Sequence, residues 1–397
     1  MGESIDTRDG VIVVGGGYAG LHAVRAVASR SVPVTLVDRE GRHDFVTRLA
    51  SVAGGTAPLG DAGRPIGEFA SDVERAAVAE VGDGWVRLVD DRILSADAVV
   101  VTTGAEVSRP PIEGIEHAYG LRNAQDAAWL RSAIAEAESL VIIGGGATGV
   151  QLAGAASIAH PGLRIELLEA EHRLLAGLPA ELASGARRIL GDRGVVVRLS
   201  HSVERITTAG VETAYGSVDG IVVWAGGFEA DTSGIGLPTA EDGRILVDDR
   251  LRVRDFERTF AAGDVAAHVD GRGDRLPMSA QVAVGAGSAA GANAARLVRG
   301  RDLQRVRLSQ IGWVLDLGGR RGVARVGPFS LSAPFLDQFA PVIHDLIDLK
   351  NLLEIGGAAG LRFAPSSVTG PLGCVSPDVP DAGVRPRLAS DRRSADR

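Results

Sequence analysis

Two glycine clusters carry the clearest chemical signal in the chain. Gly15, Gly17 and Gly20 stand in VIVVGGGYAG, and Gly144, Gly146 and Gly149 in VIIGGGATGV. Each cluster follows a short β-branched run and precedes an Ala-rich segment. This spacing suits a pyrophosphate. The first glycine makes a tight turn, the second lets backbone approach the phosphates, and the third allows close helix-to-strand packing, while free N–H groups at the helix start face the anion. An acid that can accept hydrogen bonds from a ribose follows each cluster: Asp38, eighteen residues after Gly20, and Glu169, twenty after Gly149. Two complete sets imply two dinucleotide sites. At the second, the Glu169 carboxylate pairs with a 2′-hydroxyl and repels a 2′-phosphate, so NADH is favoured over NADPH. Arg173 nearby reads as a solvated helix or loop charge.

The elements that must hold these residues follow from periodicity. Val11–Val14, an Ala/Val-rich segment to Ser29 and VTLVD at Val34–Asp38 spell strand, helix, strand. The same order recurs at Leu140–Ile143, Val150–Ile158 and Ile165–Glu169. Between the two units lie strand-like runs at WVRLVD and AVVVTTG and a proline-rich connector, Ser108–Ile115. Pro277 and Gly300 punctuate a long Ala/Gly-rich helix, and the last hundred residues give strand-like pieces, an amphipathic helix and a polar tail from Pro377.

Bulk properties narrow the function classes. The chain of 397 residues has formal net charge -8, so no basic field attracts nucleic acid or anionic lipid. A single cysteine, Cys374, leaves no disulfide, CxxC pair or cysteine-built zinc site, so redox chemistry must reside on a cofactor. The eight histidines lack metal-ligand spacing, and no GxSxG elbow is present. No signal peptide or membrane-spanning run is read, which places the protein in the cytoplasm, at most peripheral to the inner face of a membrane.

Together these pieces resemble the two-dinucleotide flavoproteins of the pyridine nucleotide-disulfide oxidoreductase superfamily. AVVVTTGAE is similar to the family's ATG segment, IVVWAGGFEA to its second copy, and RTFAAGDVA to its late FAD motif. The missing redox cysteines point away from the dithiol reductases. HDFVTRLASVAGG and MSAQVAVGAG resemble instead type II NADH dehydrogenases and the AIF/AMID-like branch. The resemblance implies an α/β fold of two Rossmann-like three-layer domains: an FAD domain in two parts, 8–110 and 239–300, an NAD(P)H domain inserted at 111–238, a small α+β interface region at 301–376 and a disordered tail at 377–397. It implies FAD contacts at Gly15, Gly17, Tyr18, Ala19, Gly20, Asp38, Arg39, Val81, Thr103, Gly104, Asp264, Ala280 and Gln281. It implies NADH contacts at Gly144, Gly146, Ala147, Thr148, Gly149, Glu169 and Gly226.

The implied activity is hydride transfer from NADH to FAD and electron transfer onward to a quinone-like acceptor. The alternatives are a soluble reductase for an iron-sulfur protein or small oxidant, and an AIF-like redox sensor with slow turnover. Gln151 and Gln281 are the candidate catalytic residues. Two positions depart from the type II pattern. Gln151 stands where a glutamate is usual, and a glutamine cannot relay a proton as a carboxylate can. Gly285 stands where the helix after Ala280 usually has a second glutamine. In the C-terminal segment Phe335, Phe339, Val342, Ile343, Leu346 and Ile347 fall at helical spacing. With Asp337, Asp345 and Asp348 expected on an outer polar face, these apolar residues are expected to pack internally or at a homodimer interface rather than on a membrane.

Overall fold

The computed structural model describes residues 5–232 and 234–357. Cys374, the tail from Pro377 and the last part of the 301–376 region lie outside them.

The first glycine cluster joins β1 (Val11–Val14) to α1 (Tyr18–Ala28), which leads to β2 (Val34–Asp38). The chain then runs through α2 (Leu49–Ala53), β3 (Val73–Arg75) and β4 (Ala98–Val101). After α3 (Ala124–Glu136) the second cluster joins β5 (Ser139–Ile143) to α4 (Ala147–Ala159) and β6 (Arg164–Glu169), followed by α5 (Ala180–Gly191), β7 (Val196–Leu199) and β8 (Ile221–Trp224). Strand β9 (Thr259–Ala261) and α6 (Ala280–Val298) return to the first unit, and β10 (Gly312–Asp316), β11 (Gly322–Val326), β12 (Phe329–Ser330) and α7 (Phe339–Gly356) close the described chain.

Two parallel sheets result, with strand orders β9-β4-β1-β2-β3 and β7-β6-β5-β8. All four residues of β1 and of β4 are buried, as strands covered on both faces require. In each sheet the winding reverses beside the strand that precedes the glycines, between β1 and β4 and between β5 and β8. Such a reversal opens a crevice at the carboxyl ends of the strands, where ligands bind in open α/β sheets. An antiparallel ribbon, Ala105–Val107 against Phe228–Ala230, carries the chain into the second unit and back out.

Small residues fix the close contacts. A Cβ at Gly287 would lie 2.0 Å from the Ala19 carbonyl oxygen and one at Gly291 2.4 Å from that of Ala23, so α6 lies directly on α1. The core around α4 and α5 takes in Leu49, Val52 and Ala53 of α2 and Leu315, Leu317 and Val323 of the C-terminal sheet. Those two segments join the second unit through buried apolar contact rather than through a hinge.

The C-terminal helix reverses the expected orientation. Phe339 is 49 % exposed and Leu346 57 %, with Val342 and Ile347 also open and Phe335 just ahead 82 % exposed. Asp337, His344 and Asp348 are buried. The expectation of internal packing for the apolar stripe is therefore wrong, and the reason is electrostatic. Asp337 pairs with Arg188 and Arg321 at 3.1 Å, and Asp345 and Asp348 with Arg48. Buried carboxylates persist where such partners neutralise them.

Candidate functional site

The two glycine turns are built alike. Gly15 has φ 95° and Gly144 φ 108°, a conformation that side chains disfavour, and a Cβ at either would press on backbone of the neighbouring strand's exit, Thr102 or Ala225. The third glycine of each set touches the first: a Cβ on Gly20 would lie 1.8 Å from the Gly15 oxygen, and one on Gly149 2.0 Å from the Gly144 oxygen. Around Gly17 and Gly146, by contrast, nothing lies within 4 Å of such a Cβ. These middle glycines border open space, as a position that backbone must leave free for phosphate requires. The helices they start carry no side-chain cap, whereas α3 is capped by Asn123 and α6 by Ser279. The uncapped N–H groups and the positive helix ends remain for an anion.

The acids that follow the two glycine turns are held by backbone donors. Asp38 Oδ2 accepts from Gly16 N at 2.8 Å and Oδ1 from Gly41 N at 2.7 Å. Glu169 repeats this, with Gly145 N on Oε2 at 2.6 Å and Glu171 N on Oε1 at 2.8 Å. Arg173 spends its guanidinium on the carbonyls of Leu175 and Ala176, so the charge presented at the end of β6 is that of Glu169.

The first turn opens into two adjoining cavities of about 550 and 360 Å³, a combined size suited to a large cofactor. Gly15, Gly17, Tyr18, Ala19, Asp38, Arg39, Thr103, Gly104, Asp264 and Ala280 all line the cleft, with Gly20 closing the turn beneath. Asp264 Oδ1 has no hydrogen-bond partner, burial pushes the carboxyl up from the usual range, and Arg122 Nη2 stands 3.9 Å from its other oxygen. Asp264 lines the cleft, where its carboxyl can meet a ligand hydroxyl. These residues fit FAD.

Two sequence-derived residues sit elsewhere. Val81 is buried in the core, its N–H bonded to the Ile235 carbonyl, and Ala76, Ala77 and Val78 supply the lining there. Gln281 is turned aside: its Oε1 accepts from Gln310 Nε2 at 3.1 Å, and Gln310 in turn accepts from Ser279 at 2.7 Å. In the second unit Ala147 and Thr148 open the first turn of α4, Gly226 packs on the Trp224 ring, and Gln151 is buried one turn further on.

Sequence reasoning missed several lining residues. Arg42, Asp44, Arg122, Asn123 and Asp126 face the cleft. Arg122 and Asn123 lie in LRNAQD, where the capping pattern of Asn123 three residues before Asp126 was the available signal. His43 lies under the turn, its Nδ1 3.0 Å from the Gly16 carbonyl. Burial drops its pKa to about 4, so it is neutral and Nδ1–H donates to that carbonyl. His268 is likewise held to about 4 by burial, and its Nε2 accepts from Gly263 N at 3.1 Å, steadying the loop that bears Asp264.

Fold and site together define a protein with two Rossmann-like units, one of them opening on a flavin-sized cleft. The chain belongs to the pyridine nucleotide-disulphide oxidoreductase family, whose model matches residues 9–287. A type II NADH:quinone oxidoreductase of Staphylococcus aureus (strain NCTC 8325 / PS 47) is 27% identical over 406 residues, covering 90% of this chain and 98% of that protein. Among solved structures, NDH2 of Plasmodium falciparum in complex with NADH superposes with TM-score 0.73 at 13% identity, over 92% of this chain and 99% of that one. The ferredoxin reductase for the CYP199A2 system of Rhodopseudomonas palustris gives TM-score 0.70 at 21% identity, over 81% and 82%. The protein is an oxidoreductase of this family. Among the described residues no helix is long and apolar enough to cross a membrane.

Proposed function

We propose that the protein is an FAD-dependent NADH dehydrogenase that passes electrons to a quinone. The duplicated cradle carries this reading: two uncapped helix starts, each with an open middle glycine and a backbone-held acid. FAD would lie on Gly15–Gly20, Asp38, Thr103–Gly104 and Asp264, and NADH on Gly144–Gly149, Glu169 and Gly226. A flavin held there would supply the redox chemistry between the nicotinamide and the acceptor. The chain's part is to bind, orient and exclude water, which suffices for hydride transfer between two held rings. The Glu169 carboxylate, with Arg173 tied to backbone, favours NADH over NADPH.

The quinone is supported by the type II relative, which aligns over almost its full length. It is also supported by the apolar outer face of α7, where Phe339, Val342, Leu346, Ile347 and Leu353 are exposed beside the Lys350–Glu354 ion pair. Such a face suits a peripheral seat on the bilayer that dissolves a quinone.

Rapid mixing tests the reading. NADH is expected to bleach the flavin band faster than NADPH, and menadione to restore it. A purified protein that binds no flavin refutes the proposal, and bleaching that menadione does not reverse moves the acceptor to a soluble iron-sulfur protein or small oxidant. Flotation with phospholipid vesicles tests the seat, which a dimer in solution and no flotation would overturn.

A further inference from the structure

The carboxyl edge of the second sheet sets the course of a dinucleotide. Its strand order is β7-β6-β5-β8. The turn Gly144–Gly149 leaves β5, and Glu169 ends β6, the next strand over. Neighbouring strands lie about 4.8 Å apart. A ligand with its pyrophosphate at the end of β5 and a ribose at the end of β6 therefore runs toward the end of β7, and the base attached to that ribose arrives there.

Two aromatic rings stand at that end. Leu199 closes β7, and Ser200 takes a left-handed backbone, φ 56°, that turns the chain back against β6. Ser200 N donates to the Glu171 carbonyl and His201 N to the Glu169 carbonyl, each at 2.9 Å. His201 is thus tied by its backbone to the acid at the end of β6. Its Nδ1 lies 2.8 Å from the Leu199 carbonyl, which can only accept, so Nδ1 carries the proton and the bond orients the ring. Three short strands follow as an antiparallel sheet, Val203–Ile206, Gly210–Thr213 and Gly216–Asp219. Thr213 lies opposite Val203, so the turn beyond Thr213 returns Tyr215 to His201. The two rings stack, with centroids 4.4 Å apart and planes at 29°. Thr213 Oγ1 accepts from Tyr215 N at 3.1 Å and donates to the Gly216 carbonyl at 2.9 Å, which holds the turn. Core packing does not account for the pair: Ile206 and Val211 supply the buried face of the small sheet, while Tyr215 is 73 % exposed. A ring held in place with that much open surface presents a π face of the kind on which nucleobases stack.

We propose that His201 and Tyr215 form the stacking platform for the adenine of the dinucleotide held by the second unit. The proposal rests on the NADH reading above and concerns the half of the ligand that undergoes no chemistry. No bond is made or broken on the platform. It contributes binding, and only to ligands that carry the base: NADH and ADP-ribose gain from it, and reduced nicotinamide mononucleotide, which lacks the adenosine, does not.

The test compares wild type with Tyr215→Ala, Tyr215→Phe and His201→Ala in the full-length protein. ADP-ribose binding is measured by calorimetric titration, and flavin bleaching by NADH and by reduced nicotinamide mononucleotide after rapid mixing. Tyr215→Ala is expected to weaken ADP-ribose binding by about fivefold or more, the loss of one base-to-ring stack, and His201→Ala to do the same. The second-order rate of bleaching by NADH should fall in step, while bleaching by the mononucleotide keeps its rate. Tyr215→Phe retains the ring and should bind ADP-ribose as wild type does. Tyr215 is exposed, so its substitutions leave the fold in place. ADP-ribose affinity that is equal in wild type and Tyr215→Ala overturns the platform. So does a slowing shared by the mononucleotide, which would make the pair a prop for the hairpin. Wild type that binds no ADP-ribose refutes instead the dinucleotide reading of the second unit, a result distinct from binding that is indifferent to the substitutions.

Discussion

His43 makes the first cofactor turn acid-sensitive, and the size of the effect can be worked out. Its ring is 1 % exposed, and Nδ1 is bonded to the Gly16 carbonyl in the first glycine turn. The folded pKa is lowered from 6.5 to about 4. Between those values the unfolded chain takes up a proton that the folded chain refuses, so acid favours unfolding. The contribution is fully present above 6.5 and is lost as pH falls toward 4. At pH 5 the ratio of protonation factors, unfolded over folded, is about thirtyfold, equivalent to about 2 kcal/mol. Urea unfolding of flavin-free protein at pH 7.5 and 5.0, for wild type and His43→Gln, measures this. The glutamine amide can still donate to the Gly16 carbonyl but does not titrate. Wild type is expected to lose about 2 kcal/mol more than the variant across that interval. Equal losses would refute the assignment of His43 as a buried neutral base. His22 and His268, both lowered to about 4 by burial, should leave a residual acid sensitivity in the variant.

Other outcomes follow from the same geometry. Gly17→Ala places its Cβ in open space, so the melting temperature of flavin-free protein should stay within about 1–2 °C of wild type while bound flavin falls at least tenfold; Gly146→Ala should weaken NADH binding, by titration, and leave flavin content intact. Glu169→Gln keeps the side-chain shape but removes the charge, and the ratio of NADH to NADPH efficiency should drop about tenfold, read from steady-state kinetics. Arg48→Met leaves Asp345 and Asp348 without their cation, and urea unfolding should show a loss of about 3 kcal/mol.

The glycine turns were legible because their constraint is local: a positive φ, a clash with the neighbouring turn and an open middle position are all set within a few residues. The parallel sheets followed from them, since a strand-glycine-helix-strand order admits few topologies. Val81 lies in the core and Val78 on the cleft, a difference of a few residues in register that the sequence pattern does not fix. Gln310 could not be found, because it acts on Gln281 and Ser279 from a loop about 30 residues away with no motif of its own. The cleft-facing positions of Asp44 and Arg122 likewise arise only where the ends of separate strands and helices converge.

The C-terminal helix shows why amphipathicity in a sequence has no sign. Its stripe of Phe339, Val342, Leu346 and Ile347 and its opposite row of Asp345 and Asp348 are plain at helical spacing, and water alone would bury the first. Arg48 and Arg188, distant in sequence, and Arg321 select the other orientation by meeting the acids inside. Apolar side chains of this size forgo about 1.5–3 kcal/mol each when left in water, so an outward stripe is favoured only where another apolar phase covers it. This leads to a result opposite to that expected for a buried stripe. Leu346→Glu with Ile347→Glu should change the urea unfolding energy by no more than about 1 kcal/mol, since both side chains are already exposed, yet abolish flotation with vesicles. A loss of several kcal/mol would instead place the stripe in a core, and full flotation would remove α7 from the membrane contact.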